Sequence, residues 1–146
     1  MLASAYAQTY RANAVLTASP GQLVLMLYDG VLKSLAITRD AFSRPVTDSR
    51  RIETINQHLL KAQMIIAELQ GGLNLEAGGD FAATLHRLYD YHNRRLLEAN
   101  LRKQVEPVLE VERLLGELRT AWAEMLRNQD AGQPTTRLGS GARHVA

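Results

Sequence analysis

Cysteine is absent from this chain, and tryptophan and phenylalanine are almost so, at one and two residues. Without thiols there is no disulfide framework and no thiolate metal site, which suits a reducing compartment and gives cytoplasmic localisation as the expectation. No apolar stretch approaches the length of a membrane span, and the opening MLASAYAQTYRANAV is too polar for a secretory signal peptide. Charge of one sign is also lacking. The formal net charge is only +2, and Arg137 and Arg143 of the excess sit in the last residues, so the basic balance makes no case for nucleic acid. Motifs of chemistry are missing as well. The glycine-rich GGLNLEAGG stretch has no Gly-x-Gly-x-x-Gly or Gly-Lys-Ser/Thr spacing, and neither Glu-x-x-His nor His-Glu-x-x-His occurs. No catalysis, cofactor or metal is expected.

What is present is one domain's worth of helix. The chain has 146 residues, 46% of them hydrophobic and 22% charged, enough for a real core. Its densest feature is Thr17–Gly30, TASPGQLVLMLYDG. Ser19 is a helix N-cap, Pro20 fits the first helical position, and Gln22 stands where a capping box requires it. Leu23-Val24-Leu25-Met26-Leu27-Tyr28 then points apolar side chains in every direction, more than one core-facing stripe can absorb. Either this helix is buried all round, or part of its surface serves something else.

Four helices follow from the periodicity. The first runs from Pro20 to Phe42, about 35 Å at 1.5 Å per residue, with Leu27, Val31 and Leu35 on one line and Leu25, Tyr28 and Leu32 on another. Arg44-Pro45 ends it. The second runs from Ser49 to Gln70 with a bundle seam of Ile52, Ile55, Leu59, Ala62, Ile66 and Leu69, widened by Leu60, Met64 and Ile65. Gly71-Gly72 closes it in a left-handed cap. The third starts near Asp80 and reaches Leu101, its seam read as Phe81, Leu85, Leu88 and His92 with Tyr89 and Leu96 alongside. The fourth starts at Pro107, with Val108, Val111, Leu115, Leu118, Trp122 and Met125 in line. The fold class is therefore all-α: an antiparallel up-down-up-down four-helix bundle over residues 19–129. A short N-terminal cap segment, residues 1–18, precedes it, and residues 130–146 read as a disordered, glycine-rich tail.

The polar residues inside this frame have ordinary readings. His86 and Asp90, four apart, make a solvated contact. His92 on the seam is a half-buried imidazole bonded to a neighbouring carbonyl. Arg50-Arg51 and Arg94-Arg95 form surface ion pairs with Glu53, Asp90 and Glu98, and Trp122 anchors the core near one bundle end. Tyr6 and Tyr10 share a face of a segment too short to stand as an isolated helix.

The order of segments resembles the flagellar secretion chaperone family FliS, over nearly the whole chain to about Leu126. The resemblance rests on Ala5-Tyr6-Ala7-Gln8, Thr17–Leu23 leading into Met26-Leu27-Tyr28-Asp29-Gly30, Lys61–Ile66 with Glu68-Leu69, and Leu88-Tyr89-Asp90-Tyr91 with Arg94-Arg95-Leu96. Leu97–Asn100 follows, then Glu110-Val111-Glu112, Leu115, Leu118-Arg119 and Ala121-Trp122. It implies a cytosolic export chaperone that holds the disordered C-terminal segment of flagellin, prevents premature polymerisation, and delivers it to the flagellar type III export gate. Other flagellar regulators are further implied partners. A disordered client needs a long apolar surface to offset its ordering entropy. Leu23, Leu27 and Tyr28 of the first helix with Ile65 and Leu69 of the second are assigned to that groove, and Met26 and Met64 would let it adapt. The N-terminal segment is implied to cap it, with Tyr6 docking at the export gate and Tyr10 one turn on. Family members carry methionine and another bulky residue where this chain has His92-Asn93, which implies a less apolar groove beside the third helix, tuned to one flagellin. The alternative is a constitutive homodimeric structural or adaptor module without a flagellin client, burying its spare apolar face against itself; a client-free chaperone could also pair as a homodimer.

Overall fold

The computed structural model describes residues 19–132, and they form four helices with no strand among them. These are α1 (Pro20–Phe42), α2 (Arg51–Gly71), α3 (Leu75–Arg102) and α4 (Glu106–Gly132). Each packs on its neighbour in sequence, and α4 closes the ring against α1; α1 and α2 lie closest, α3 and α4 least close. The architecture is the expected four-helix bundle. Its core is a stack of Val31 and Leu35 from α1, Ile55, Leu59 and Ile66 from α2, Leu96 from α3, and Val108, Val111 and Leu115 from α4, all at 0% exposure. Each of these side chains contributes roughly 1.5–3 kcal/mol by leaving water. Residues 1–18 and 133–146, which include Tyr6, Tyr10 and most of the expected tail, lie outside the described residues.

The helix ends show why the chain breaks where it does. At Ser19 the hydroxyl accepts from the Gln22 amide at 3.2 Å, with Pro20 at the first helical position, so α1 begins as its cap signal directs. Gly21, one residue further, is packed by α4: a β-carbon there would stand 2.6 Å from Cδ2 of Leu126. At the other end, Arg51 does not pair with Glu53. It lies over the Phe42 ring, 5.5 Å from its centroid, and donates to the Phe42 carbonyl at 3.3 Å, closing the last turn of α1 with a cation.

The left-handed cap does not fall at Gly71-Gly72. Gly71 is helical and Gly72 has φ −83°. The positive φ belongs to Gly79, at +55°, inside what the sequence suggests is a plain loop. Asn74 caps a first turn from Leu75 by accepting from the Ala77 amide; Gly79 then breaks the turn, and the main body of α3 follows from Asp80. Only glycine takes φ +55° with ψ −135° without strain. The second positive φ is Lys103 at +52°. Its Nζ donates to Asn56 Oδ1 across the bundle and to Asn100, so the side chain holds the backbone in a conformation that costs about 1 kcal/mol.

Two core readings need correction. On α3 the buried line is Ala82, Leu85, Tyr89, His92, Leu96 and Ala99; Phe81 and Leu88 are 65% and 36% exposed. On α2 the seam holds from Ile55 to Leu69, but Ile52, Leu60 and Met64 face outward. In both helices apolar residues continue one position past the buried arc, and periodicity alone counts them as core. His92 is also not half-buried. It has no exposed surface, and neither ring nitrogen finds a partner; Tyr89 and Tyr91 meet it edge-on with centroids at 6.2 Å.

Candidate functional site

Because the four helices alternate in direction, the start of α1, the end of α2, the start of α3 and the end of α4 meet at one end of the bundle. There the packing is incomplete. A recess of about 150 Å³ opens between Val24, Leu27 and Tyr28 of α1, Leu69 and Gly72 of α2, Leu73 of the connection, Phe81, Leu85 and Tyr89 of α3, and Trp122 and Met125 of α4. Glu68 is its one ionisable carboxylate.

The polar atoms in its wall are already engaged. The Tyr28 and Tyr89 hydroxyls bond to each other at 2.5 Å across the bundle. Burial pushes both phenols up from the ordinary tyrosine value, so neither is poised to ionise. Trp122 Nε1 donates to the Gly21 carbonyl at 2.9 Å, pinning the end of α4 to the first turn of α1. A recess whose hydroxyl and indole groups are satisfied internally offers a visitor apolar contact rather than acid–base chemistry.

The expected groove residues divide. Leu27, Tyr28 and Leu69 come together at this recess, but Tyr28 and Leu69 are only 2% and 5% exposed, so they form its floor and serve the core as well. Leu23 and Ile65 are half-buried and lie outside the recess lining; Ile65 instead fills the space over Gly30, its Cδ1 3.4 Å from where a β-carbon would be. Phe81, which the seam periodicity counts as core, is an exposed apolar wall residue of the recess. Trp122 and Met125, in line with the α4 seam, also line this recess, at the end of α4 opposite the overfilled start of α1. His92 and Asn93 do not line an outer groove. His92 faces the core, and Asn93 donates to the Gln63 carbonyl of α2 at 3.3 Å while Gln63 donates back to the Asn93 carbonyl.

A second apolar surface lies along the outer side of α2 and α3. Asn56–Lys103, Gln63–Asn93 and Gln70–Asp90 bonds set the register between these helices. Leu60 on one side and Leu97 and Leu101 on the other fall between the first two of those rungs, and Met64 continues the strip; they are 48–76% exposed. By contrast the polar clusters are structural. Glu110 accepts from Tyr91 at 2.7 Å and from Arg95 at 2.6 Å, which holds its carboxyl below the usual range, and Arg95 also reaches Glu98. His86 stands 4.0 Å from Asp90, with Gln70 bonded to both residues. Among the described residues no group of histidines and carboxylates could hold a metal, and no helix is long and apolar enough to cross a membrane.

Comparison with known proteins adds the family. The family described as Flagellar protein FliS matches residues 2–129. The chain belongs to the FliS family. It is 41% identical over 122 residues to the flagellar secretion chaperone FliS of Salmonella typhimurium, covering 83% of this chain and 87% of that one. The Escherichia coli K12 protein of the same name is 41% identical over 128 residues, covering 84% and 87%. That of Bacillus subtilis is 36% identical over 120 residues, covering 82% and 85%. The family match spans α1, α2, α3 and nearly all of α4, so it includes every wall of the recess.

Proposed function

We propose that this protein is a cytoplasmic flagellar export chaperone without catalytic activity, whose client is the C-terminal segment of flagellin. The client stays bound until it reaches the flagellar type III export gate, and binding keeps it from polymerising early. The observation that carries the reading is the apolar recess at the bundle end, walled by all four helices, with its hydroxyl and indole groups already bonded. A segment that is disordered when free orders on binding, so it needs anchors that bury apolar side chains in pockets and a long apolar strip between them. The recess supplies the anchor. The outer strip of Leu60, Met64, Leu97 and Leu101 supplies continued contact for a client that wraps the bundle.

In this reading Leu27 and Phe81 meet the client directly, Tyr28 and Leu69 shape the floor, and Leu23 and Ile65 act at the margin. The N-terminal segment, with Tyr6 and Tyr10, is covalently joined to α1 a turn before the recess residue Val24, and serves as a cap that yields to client and then docks at the gate. Co-expression with flagellin, followed by affinity capture, tests this. Capture is expected with full-length flagellin and lost when its last ~40 residues are removed, a length that can track around a small bundle at about 3.3 Å per residue. Capture that survives the truncation overturns the proposal. Light scattering addresses the homodimer alternative: a stable dimer indifferent to a flagellin C-terminal peptide would favour it.

A further inference from the structure

On the side of the bundle formed by α1 and α2, away from the apolar recess, there is a second depression, of about 620 Å³. Its floor is Gly30, Ser34 and Ile37; its rim carries Lys33 of α1 and His58 and Lys61 of α2. Both lysines are exposed, and neither has an ion-pair partner among the described residues. The carboxylate at the rim, Asp29, is held by Arg119 of α4 at 2.7 Å. The imidazole Nδ1 of His58 is closed off from solvent and bonds to nothing. Burial, and then the neighbouring Lys61 charge, keep this histidine's pKa below its ordinary value.

We infer that this depression is a docking site for an acidic segment of a partner protein, with carboxylates on Lys33 and Lys61 and an apolar residue between them over Gly30 and Ile37. The charge pattern decides the class of ligand. Two cations without ion-pair partners among the described residues flank an opening floored by Gly30, Ser34 and Ile37, which matches a carboxylate-bearing peptide better than a compact inorganic anion. Residues 1–18 and 133–146 contain no aspartate or glutamate, so neither stretch supplies the acidic segment. This site is separate from the apolar recess and stands or falls independently of the flagellin reading.

The test is an NMR titration of the full chain, following the His58 imidazole, the Lys33 and Lys61 side chains, and the Trp122 indole as a reporter of the recess. The probe is an acetylated, amidated hexapeptide of sequence Glu-Leu-Glu-Glu-Leu-Glu. The controls are its glutamine counterpart and glutarate, a free dicarboxylate. Saturable shifts are expected at His58 and both lysines with Trp122 unmoved, and the His58 titration midpoint should rise. Affinity should fall about tenfold for the glutamine peptide and for the Lys33→Glu/Lys61→Glu variant, the scale of two partly screened ion pairs, and should weaken with salt. Shifts of equal size with the glutamine peptide, no shifts at all, or glutarate binding as tightly as the peptide would each overturn the inference. So would a self-association, seen by sedimentation, that the charge-reversed variant abolishes, because a second copy would then be the occupant.

Discussion

Replacing His92 by leucine should make this protein more stable, and the gain should grow as the pH falls. His92 has no exposed surface and two unpartnered ring nitrogens in the middle of an apolar stack. A buried polar group without a hydrogen bond costs on the order of 1–3 kcal/mol. Leucine fills a similar volume with no such penalty, at the loss of two edge-on aromatic contacts worth about 0.5–1.5 kcal/mol each at most. The net expectation near neutral pH is a stabilisation of about 1 kcal/mol. Acid sharpens the difference. Burial pushes the His92 pKa from 6.5 down to about 4, against a smaller upward pull from Glu110. Between those values the unfolded imidazole binds a proton that the folded one refuses, so stability rises with pH across that window and falls as acid is added. At about 1.4 kcal/mol per pH unit the total approaches roughly 3 kcal/mol, complete once the pH is below 4. Urea denaturation followed by circular dichroism, at steps from pH 7.5 to 4, measures it in both proteins. Carboxylates contribute the same slope to each, so the difference isolates His92. If the His92→Leu protein loses stability over this window as steeply as the parent, the imidazole is not held neutral in the core and the reasoning fails.

The remaining expectations concern the bundle end. Tyr28→Phe or Tyr89→Phe alone leaves the other hydroxyl buried without its partner and should cost about 1–3 kcal/mol, whereas the double replacement should cost less than the sum; chemical denaturation of the four proteins in a double-mutant cycle measures the difference. Gly79→Ala forces a β-carbon into a conformation that disfavours it and should destabilise by about 1–3 kcal/mol, with the loss confined to the α2–α3 connection in hydrogen exchange. Phe81→Ser, on a side chain already 65% exposed, should move stability by no more than about 0.5 kcal/mol. In a fluorescence anisotropy assay it should weaken flagellin peptide binding about tenfold, the loss of one apolar anchor.

The sequence made the bundle legible because its signals agreed at every level: a capped start at Ser19-Pro20, proline near the start of the fourth helix, and three-four spacing in each. It was less reliable at the edge of each buried arc. Phe81 and Leu88 sit one step from Ala82 and Tyr89, Leu60 sits beside Leu59, and a heptad reading gives each pair the same weight. What separates them is the direction of the neighbouring helix, fixed by contacts such as Gln63–Asn93 and Tyr91–Glu110 that join residues 30 and 19 positions apart. No local pattern contains that information. The same holds for Gly79: glycine pairs at both ends of GGLNLEAGG announce a turn, but the positive φ falls where the turn capped by Asn74 ends and the main body of α3 begins.

The overfilled run on α1 shows how core and site share one helix. Of Leu23 through Tyr28 only Tyr28 is fully buried; the other five are all half-buried. A helix serving the core alone would alternate between extremes. This one meets α2 on one flank, where Ile65 lies over Gly30, and α4 on the other, where Leu126 lies against Gly21, while Val24 and Leu27 line the recess. The apolar excess is thus divided between two neighbouring helices, and the share left over is the wall of the recess. Substitution by alanine at Leu27 should therefore reduce both stability and client affinity, whereas Phe81→Ser should reduce affinity alone. That contrast is what distinguishes a wall residue that also holds the bundle from one that does not.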